Sequence, residues 1–165
     1  MRAQIRTSLA TTSLFAVFCF GTACGNADFD AVKEYKAFLE DAKPSLQAMN
    51  RVREELMQVD SPDDTLSKFR DELLPEVKKL SALASEQASP EVKKLKTIHE
   101  TLQSVLSNYA NSTQTLVDAL DAAKGDEDRE KALLSWGEDD EKFGSDMASL
   151  VQDIETYLDK LRKGG

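Results

Sequence analysis

The sequence is poor in the side chains that metal centres and many active sites require. Among 165 residues it has a single histidine, His99, and two cysteines. A zinc site needs several histidine, cysteine or carboxylate ligands, and a Ser/His/Asp catalytic set needs a histidine base held by further groups. A paired Glu-x-x-His di-metal motif is also missing, since Lys96 stands where the glutamate would precede His99. We therefore predict no catalytic residue, no metal ligand and no cofactor, and we do not expect an enzyme.

Long apolar runs are equally scarce, and the one that exists lies at the N-terminus. "MRAQIR" supplies Arg2 and Arg6, "TSLATTSLFAVFCF" is uncharged and increasingly apolar, and "GTAC" adds small residues before Cys24. This order is typical of an export signal, and the run is shorter than the roughly 20 residues of a transmembrane helix. We predict that residues 1–23 are a signal peptide, which would take Cys19 with it.

The residues before Cys24 resemble the lipobox of bacterial lipoproteins, in which the cysteine is acylated and becomes the new N-terminus. Thr22 and Ala23 fit this motif, whereas Gly21 stands where the family usually has leucine or a similar apolar residue. The resemblance implies a lipid on Cys24 and a membrane anchor. The alternative is ordinary signal peptidase cleavage after Ala23, because Gly21 and Ala23 also satisfy a small-x-small rule, and the product would then be a secreted soluble protein.

The tether after the cysteine, residues 24–27, is very short. Gly25 and Asn26 differ from the aspartate that resembles an inner-membrane retention signal in some bacteria. The outer membrane of the bacterial cell envelope is therefore favoured over the inner membrane.

Charge also narrows the classes of partner. The full chain has 21 basic and 30 acidic residues, and removal of the signal peptide would take away Arg2 and Arg6 but no acid, leaving 19 basic residues and a net charge of −11. A chain this acidic is not expected to bind nucleic acid. Cys24 would be its only cysteine, so no intrachain disulfide can form and stability must come from packing.

From Asp28 onward, apolar residues recur at spacings of three and four in four successive segments, as in amphipathic helices. The four stripes are Val32, Tyr35, Leu39, Ala42, Leu46, Met49, Val52 and Leu56; Leu66, Phe69, Leu73, Val77, Leu80 and Ala84; Val92, Leu95, Ile98, Leu102, Val105, Tyr109, Leu116 and Leu120; and Leu133, Trp136, Phe143, Met147, Leu150, Ile154, Tyr157 and Leu161. No segment has the alternation of a strand. The predicted fold is all-α, an elongated up-down-up-down antiparallel four-helix bundle over residues 28–163.

The boundaries of these helices have their own signals. Ser61 and Pro62 have the residue types of an N-cap and a first helical position, and "SPE" at residues 89–91 repeats that start signal. Gly125 in "KGDED" is predicted to cap the end of the third helix. Pro75 falls inside the second stripe, so it is predicted to kink that helix without ending it.

One zone departs from the helical pattern. Folding the last two helices back on each other at Gly125 places Trp136 opposite Thr113. Here Gly137 and Gly144 interrupt a helix and Asp140 occupies a stripe position. One interpretation is a tentative partner surface formed by Tyr109, Asn111, Trp136 and Asp140, which would leave the tryptophan partly exposed. The interpretation that we favour is an imperfect core in which Tyr109 and Trp136 satisfy Asp140 and nearby hydroxyl groups.

The two ends of such a bundle are predicted to differ in charge. The end nearest the lipid would carry the bases Lys33, Lys36, Lys93, Lys94, Lys96, Lys160, Arg162 and Lys163, and the far tip the acids Asp60, Asp63, Asp64, Asp126, Glu127 and Asp128. The bases would face anionic headgroups, at about 1 kcal/mol each. The tip would then face a cationic protein partner.

The segment "SPEVKKLKTIHE" resembles a helix start in periplasmic cytochrome-type four-helix bundles, which would imply a haem. The last helix has no histidine, however, and the chain has no Cys-x-x-Cys-His motif. His99 is therefore predicted to be a hydrogen-bonded histidine at the edge of the core. The leading functional prediction is a membrane-anchored envelope lipoprotein acting as a non-enzymatic binding or scaffold module, and the alternatives are a haem-type or ligand-carrying bundle and a secreted helical protein.

Overall fold

The computed structural model describes residues 27–59 and 61–164, so the predicted signal peptide, Cys24 and Asp60 lie outside the described residues. Its elements are α1 (Ala27–Leu56), α2 (Pro62–Ser67), a π-helical segment (Lys68–Leu73), α3 (Leu74–Glu86), α4 (Lys93–Ala122) and α5 (Asp126–Gly164). The three elements from α2 to α3 follow one another without a break, and we call them helix 62–86. The described part of the chain is a bundle of four helices without strands, which confirms the all-α prediction.

Side-chain contacts fix how neighbouring helices run. Trp136 and Lys94 mark the pairing of α5 with α4, through hydrogen bonds from Trp136 to Thr113 (3.3 Å) and from Lys94 to Asp153 (3.3 Å). Residue numbers rise along one helix as they fall along the other, so α4 and α5 are antiparallel. The predicted pairing of Trp136 with Thr113 is confirmed. The complete up-down-up-down order of the four helices stays a prediction.

The core contains residues from all four helices. Every residue of the predicted α1 stripe is buried, and so is every residue of the second stripe except Leu66, which is half-buried. Val92, Leu133 and Leu161 also lie at the edge of the core. The core further includes residues that the stripes omitted, namely Phe38, Leu74, Leu106, Ala110, Val117, Val151 and Leu158. The apolar stripes therefore predict most of the core and underestimate its width.

The helix starts agree with the sequence in one place and not in another. Ser61 is the N-cap of α2, its hydroxyl accepts a hydrogen bond from the Asp64 N–H (3.4 Å), and Pro62 is the first helical residue, as predicted. By contrast, α4 does not begin within residues 89–91. It begins at Lys93, because Val92 still has an extended backbone, and no side chain caps this helix.

Gly125 does not cap the end of α4, so that prediction is wrong. α4 ends at Ala122, and Ala123 leaves the helix with an extended backbone. Gly125 instead stands just before α5, and its carbonyl accepts a hydrogen bond from the N–H of Arg129 (3.3 Å). The Asp128 carboxylate accepts another from the N–H of Lys124 (3.1 Å), so this turn is organised as a helix start.

Helix 62–86 passes through Pro75, as predicted, and its irregularity lies immediately before that residue. The N–H of Leu74 donates to the carbonyl of Phe69, five residues earlier, which is the hydrogen bond of a π-helix. Proline lacks an N–H and its ring collides with the carbonyl four residues back in a regular α-helix. A wider turn just before Pro75 relieves that conflict while Phe69 and Leu73 remain fully buried.

A substitution at Gly137 tests whether the fold requires this glycine. Gly137 lies within α5, and a Cβ built on it meets nothing within 4 Å. We expect Gly137→Ala to raise the free energy of unfolding by about 1 kcal/mol, since alanine favours a helix interior over glycine by roughly that amount. Urea unfolding followed by circular dichroism measures this. Gly125→Ala is the control, because its Cβ is equally unobstructed but lies outside the helices, and it should gain less. A loss of stability at Gly137 would contradict the open geometry.

Candidate functional site

An ion pair lies in the interior of the bundle. Arg53 of α1 and Asp140 of α5 are 5% and 2% exposed, and Nη2 of the guanidinium donates to Oδ2 of the carboxylate over 2.7 Å. The guanidinium carbon lies 5.9 Å from the centre of the Phe143 ring. Two charges removed from water are costly unless they pair. The pair therefore holds α1 and α5 at one relative position.

Tyr109 of α4 completes this buried cluster. Its hydroxyl donates to the other carboxylate oxygen, Oδ1 of Asp140, over 2.6 Å, and its ring stacks on Phe143 with centres 4.0 Å apart. Burial, and then the charge of Asp140, raise the pKa of the Tyr109 hydroxyl well above its ordinary value. The phenol thus stays protonated and available as a donor. We call Arg53, Tyr109 and Asp140 the buried triad.

The guanidinium of the triad remains charged. Burial lowers the pKa of Arg53, but the hydrogen bond to Asp140 and the charge of that carboxylate raise it, and the net direction is upward. Its Nη1 donates to the Asn50 side chain (3.5 Å), while its Nε is buried without a hydrogen-bond partner. The triad therefore contains an ion pair that stays charged, and one donor of its guanidinium, the Nε, has no hydrogen-bond partner.

Trp136 lies beside the triad. Its indole N–H donates to the Thr113 hydroxyl (3.3 Å), which in turn donates to the backbone carbonyl of Tyr109 (2.8 Å). Phe69, from the π-helical segment, meets the indole edge to face with ring centres 4.8 Å apart. Helix 62–86, α4 and α5 therefore contact one another around this one side chain.

These positions correct the predicted partner surface. Tyr109, Trp136 and Asp140 are buried, and only Asn111 is exposed. The expectation of a partly exposed tryptophan is wrong, because Trp136 is 3% exposed. The favoured interpretation, an imperfect core, describes the zone, since the Tyr109 hydroxyl donates to Asp140 and the Trp136 indole N–H donates to the Thr113 hydroxyl.

The sequence analysis missed Arg53, which supplies the positive charge of the triad. A signal was present, because Arg53 follows Met49 by four residues and precedes Leu56 by three, which is the spacing of the apolar stripe. Both Arg53 and Asp140 occupy positions that face the core, and a charge buried there needs a counter-charge. The two stripe positions together could therefore have predicted the ion pair.

His99 forms a second polar site in the core, near the start of α4. It is fully buried, with Tyr35 and Phe38 of α1 each meeting its ring edge to face at 5.7 Å. Its Nδ1 lies 3.4 Å from the Tyr35 hydroxyl, and its Nε2 lies 3.1 Å from the Gln103 amide nitrogen. Both ring nitrogens have partners, as predicted, but the histidine lies inside the core and not at its edge. Burial lowers the pKa of His99, and a hydrogen bond with the Gln87 backbone opposes this without reversing it.

The predicted difference in charge between the two ends of the bundle holds for the acidic tip but not for the basic end. An ion pair between Arg129 and Asp63 (3.9 Å) joins the first turns of α5 and α2, where the tip acids Asp63, Asp64, Asp126, Glu127 and Asp128 are exposed. At the other end, Lys33 pairs with Asp30, Lys94 with Asp153 and Lys96 with Glu100. Residues 30–36, 86–100 and 153–163 contain eight acids and eight bases. The predicted basic end is therefore close to neutral, and only the acidic tip is strongly charged.

A surface groove of about 260 Å³ lies between α4 and α5. Thr101 and Asn108 line it from α4, and Lys142, Asp146 and Asp153 from α5. Its charged groups are already paired within the fold, Lys142 with Asp146 and Asp153 with Lys94. Within residues 27–59 and 61–164 no three metal-binding side chains come together. None of the helices in that part of the chain is long and apolar enough to span a bilayer.

Comparison of the chain with protein-family models, with curated proteins and with solved structures finds no match in any of the three.

The triad predicts a large cost for removing one of its charges. Asp140→Ala leaves the Arg53 guanidinium buried without a counter-charge, and we expect the free energy of unfolding to fall by about 3–5 kcal/mol. Replacing both charges, with Arg53→Met and Asp140→Leu, should recover much of that loss, since the apolar pair has no charge to bury. The control is Asp153→Ala, which breaks an exposed ion pair with Lys94 and should cost at most about 1 kcal/mol. Equal losses for Asp140→Ala and Asp153→Ala would contradict the buried pair.

His99 predicts a specific pH dependence. Because its pKa in the fold is below the ordinary value of 6.5, the unfolded chain binds more protons between the two values. The contribution of neutral His99 to stability is complete above the ordinary pKa and is lost as the pH falls through it towards the lowered pKa. As His99 is the only histidine, one pair of ring-proton NMR signals reports its titration directly. His99→Gln should flatten the stability profile below the ordinary histidine pKa of 6.5. A ring pKa above 6.5 would contradict this account.

Proposed function

We propose that this protein is an envelope lipoprotein, exported and acylated at Cys24, whose helical bundle acts as a non-enzymatic binding or scaffold module at a membrane. The observation that carries the proposal is the order of the N-terminal features. Two arginines, an uncharged apolar run and "GTAC" are followed almost at once by the start of α1 at Ala27. An acylated cysteine separated from a helix by Gly25 and Asn26 alone would hold the bundle close to the bilayer.

The length of α1 supports a module that reaches away from the membrane. α1 has 30 residues, which at 1.5 Å per residue is about 45 Å. Its start lies near the predicted lipid, and its end lies near the acidic tip, where the first turns of α2 and α5 meet. The tip is thus the part of the molecule that we propose to face a cationic protein partner in the periplasm.

The interior of the bundle fits a binding or scaffold role. Within the buried triad, and separately within the His99 site, the polar groups bond to one another. The polar groups of the core therefore serve to fix the positions of the helices. A surface held on such a rigid support can bind without rearrangement. The outer membrane is the proposed location, because Gly25 and Asn26 differ from the aspartate of inner-membrane retention.

The proposal is tested by Cys24→Ser in the full chain. We expect the wild-type protein to sediment with membranes and to incorporate an alkyne-labelled fatty acid, and the variant to do neither. Cys19→Ser is the matched control, since that cysteine lies in the predicted signal peptide and its loss should leave anchorage and labelling intact. A Cys24→Ser protein that still sediments with membranes would contradict the proposal. A wild-type protein that is soluble and unlabelled points to the alternative, a secreted helical protein.

A further inference from the structure

His99, Gln103 and the last turn of helix 62–86 meet at one point. The Gln103 amide nitrogen lies 2.7 Å from the backbone carbonyl oxygen of Ala84 and 3.1 Å from Nε2 of His99. Gln103 is half-buried and His99 is fully buried. One amide group therefore links α4 to the end of helix 62–86 and at the same time contacts the histidine.

The contact with Ala84 fixes which atoms of Gln103 and His99 carry protons. A carbonyl oxygen can only accept, so the Gln103 atom that faces it must be the NH₂ nitrogen and not the amide oxygen. The second N–H of that group donates to Nε2 of His99, which must then be an acceptor without a proton. The proton of the neutral ring is therefore on Nδ1, where it donates to the Tyr35 hydroxyl oxygen over 3.4 Å.

Protonation of His99 is incompatible with this arrangement. The second proton binds to Nε2, where it faces an N–H of Gln103, so that a donor stands against a donor. Rotating the amide by half a turn would give this proton an acceptor, but it would bring the amide oxygen against the carbonyl oxygen of Ala84. Gln103 can therefore bond to Ala84 or accommodate a charged His99, but not both.

The groups that face His99 do not offset a second proton. Burial has the largest effect on the pKa of His99 and lowers it, while the backbone of Gln87, the charge of Glu100 and the backbone of Ala84 raise it less. From α1, Tyr35 faces the ring with a phenol whose own pKa is raised by burial, so that group stays neutral. A proton added to the ring is therefore a buried charge whose carboxylate neighbour, Glu100, is exposed to solvent.

Other charged residues of the surrounding helices are half-buried or exposed, whereas the ring is fully buried. They are Lys36 beside Tyr35 on α1, Glu86 at the end of helix 62–86, and Lys94 with its partner Asp153 on α4 and α5. Near this level α5 contributes Leu150, which lines one groove with Thr101 of α4 and is buried and apolar.

The turn between helix 62–86 and α4 is the part of the fold that can give way to the charged ring. Helix 62–86 ends at Glu86, and Gln87 leaves it with an extended backbone. Val92 is extended as well, and no side chain caps the start of α4. The Gln87 side chain donates to the carbonyl of its own neighbour, Ala88 (3.3 Å). A turn with local bonds of this kind opens at a lower free energy than the helices on either side of it.

We propose that His99 and Gln103 form a proton-operated latch that opens residues 87–92 in acid. While the ring is neutral, Gln103 bonds to both His99 and Ala84, and the end of helix 62–86 is held against α4. When Nε2 takes a proton from the solvent, Gln103 leaves both partners, the turn separates from α4, and water reaches the charged ring. We call His99, Gln103 and the Ala84 carbonyl the latch.

The opening is confined to this end of the bundle. In the buried triad, the pKa of Arg53 and that of Tyr109 are both shifted upward, so neither group changes its charge as the solution becomes mildly acidic. Acid would thus loosen the turn beside the start of α4 while the helices remain joined at the triad. The inference goes beyond the proposed function and holds with or without a lipid on Cys24.

The first measurement determines which ring nitrogen carries the proton. The sample is the full chain carrying Cys24→Ser, with ¹⁵N in its single histidine, and the ¹⁵N NMR shifts distinguish a protonated from an unprotonated ring nitrogen. At about pH 8, above the ordinary histidine pKa, we expect the proton on Nδ1. A neutral ring protonated on Nε2 would overturn the inference, because Gln103 could not then donate to it.

The second measurement is the ring pKa of Gln103→Ala. A hydrogen bond to the neutral form of a histidine lowers its pKa, so removing the donor should raise the pKa by about half a unit to one unit. Gln114→Ala is the matched control, since Gln114 also links α4 to helix 62–86, by accepting from Lys78 over 2.7 Å, but it lies three turns beyond Gln103. The control should leave the ring pKa unchanged. No rise in Gln103→Ala, or an equal rise in Gln114→Ala, would contradict the latch.

The third measurement is hydrogen exchange by mass spectrometry as a function of pH, corrected for the intrinsic pH dependence of exchange. In the parent chain, peptides that span residues 87–92 should lose protection with a midpoint at the ring pKa, whereas peptides around Tyr109 should keep theirs. In Gln103→Ala the turn should be less protected already when His99 is neutral, and in His99→Gln its protection should not change over this range. Equal loss of protection along the whole chain would indicate global unfolding, and a turn whose protection ignores the titration of the ring would show that the ring moves nothing. Either result in the parent chain alone would overturn the inference.

Discussion

The ion pair between Arg53 and Asp140 is the constraint on which the arrangement of the bundle depends. Apolar stripes pack against one another in several registers at similar free energy, whereas a buried charge is tolerated in the one register that gives it a counter-charge. Tyr109 occupies the second oxygen of the carboxylate, so three helices meet at a single point. A pair of this kind adds little net stability compared with an apolar substitute. Its effect here is to exclude the wrong alignments of α1, α4 and α5.

A second polar layer acts at the other end of α1. Tyr35 meets His99 there, eighteen residues before Arg53, a separation of about 27 Å along the helix. The two layers differ in chemistry, since one is a permanent ion pair and the other a neutral histidine between aromatic rings. A helix that is held at two distant levels cannot slide or rotate. The two layers therefore fix the position of α1 relative to α4 and α5.

The sequence predicted the parts of the fold that depend on the helical spacing of apolar residues. It did not predict the parts that depend on contacts between side chains of different helices. The spacing of residues such as Val32 and Met49 predicts their burial, and the residue types of Ser61 and Pro62 predict a helix start. Arg53 looks like any surface arginine until Asp140 is found opposite it, and Gly125 has the residue type of a C-cap although it opens α5. The π-helical turn before Pro75 was not predicted, because the proline shows where the helix must adjust but not which hydrogen-bond register relieves the conflict.

The proposed role joins two regions that lie far apart on one helix. Two residues, Gly25 and Asn26, separate Cys24 from the start of α1, and the acidic tip lies near the end of that helix, so a lipid at one end would present the tip at the other. The most direct test of this account is the mass of the N-terminal peptide of the mature protein, extracted from membranes. We predict a peptide that begins at Cys24 and is heavier by the mass of its acyl groups. A peptide that begins at an unmodified Cys24, or at any residue before it, would contradict the account.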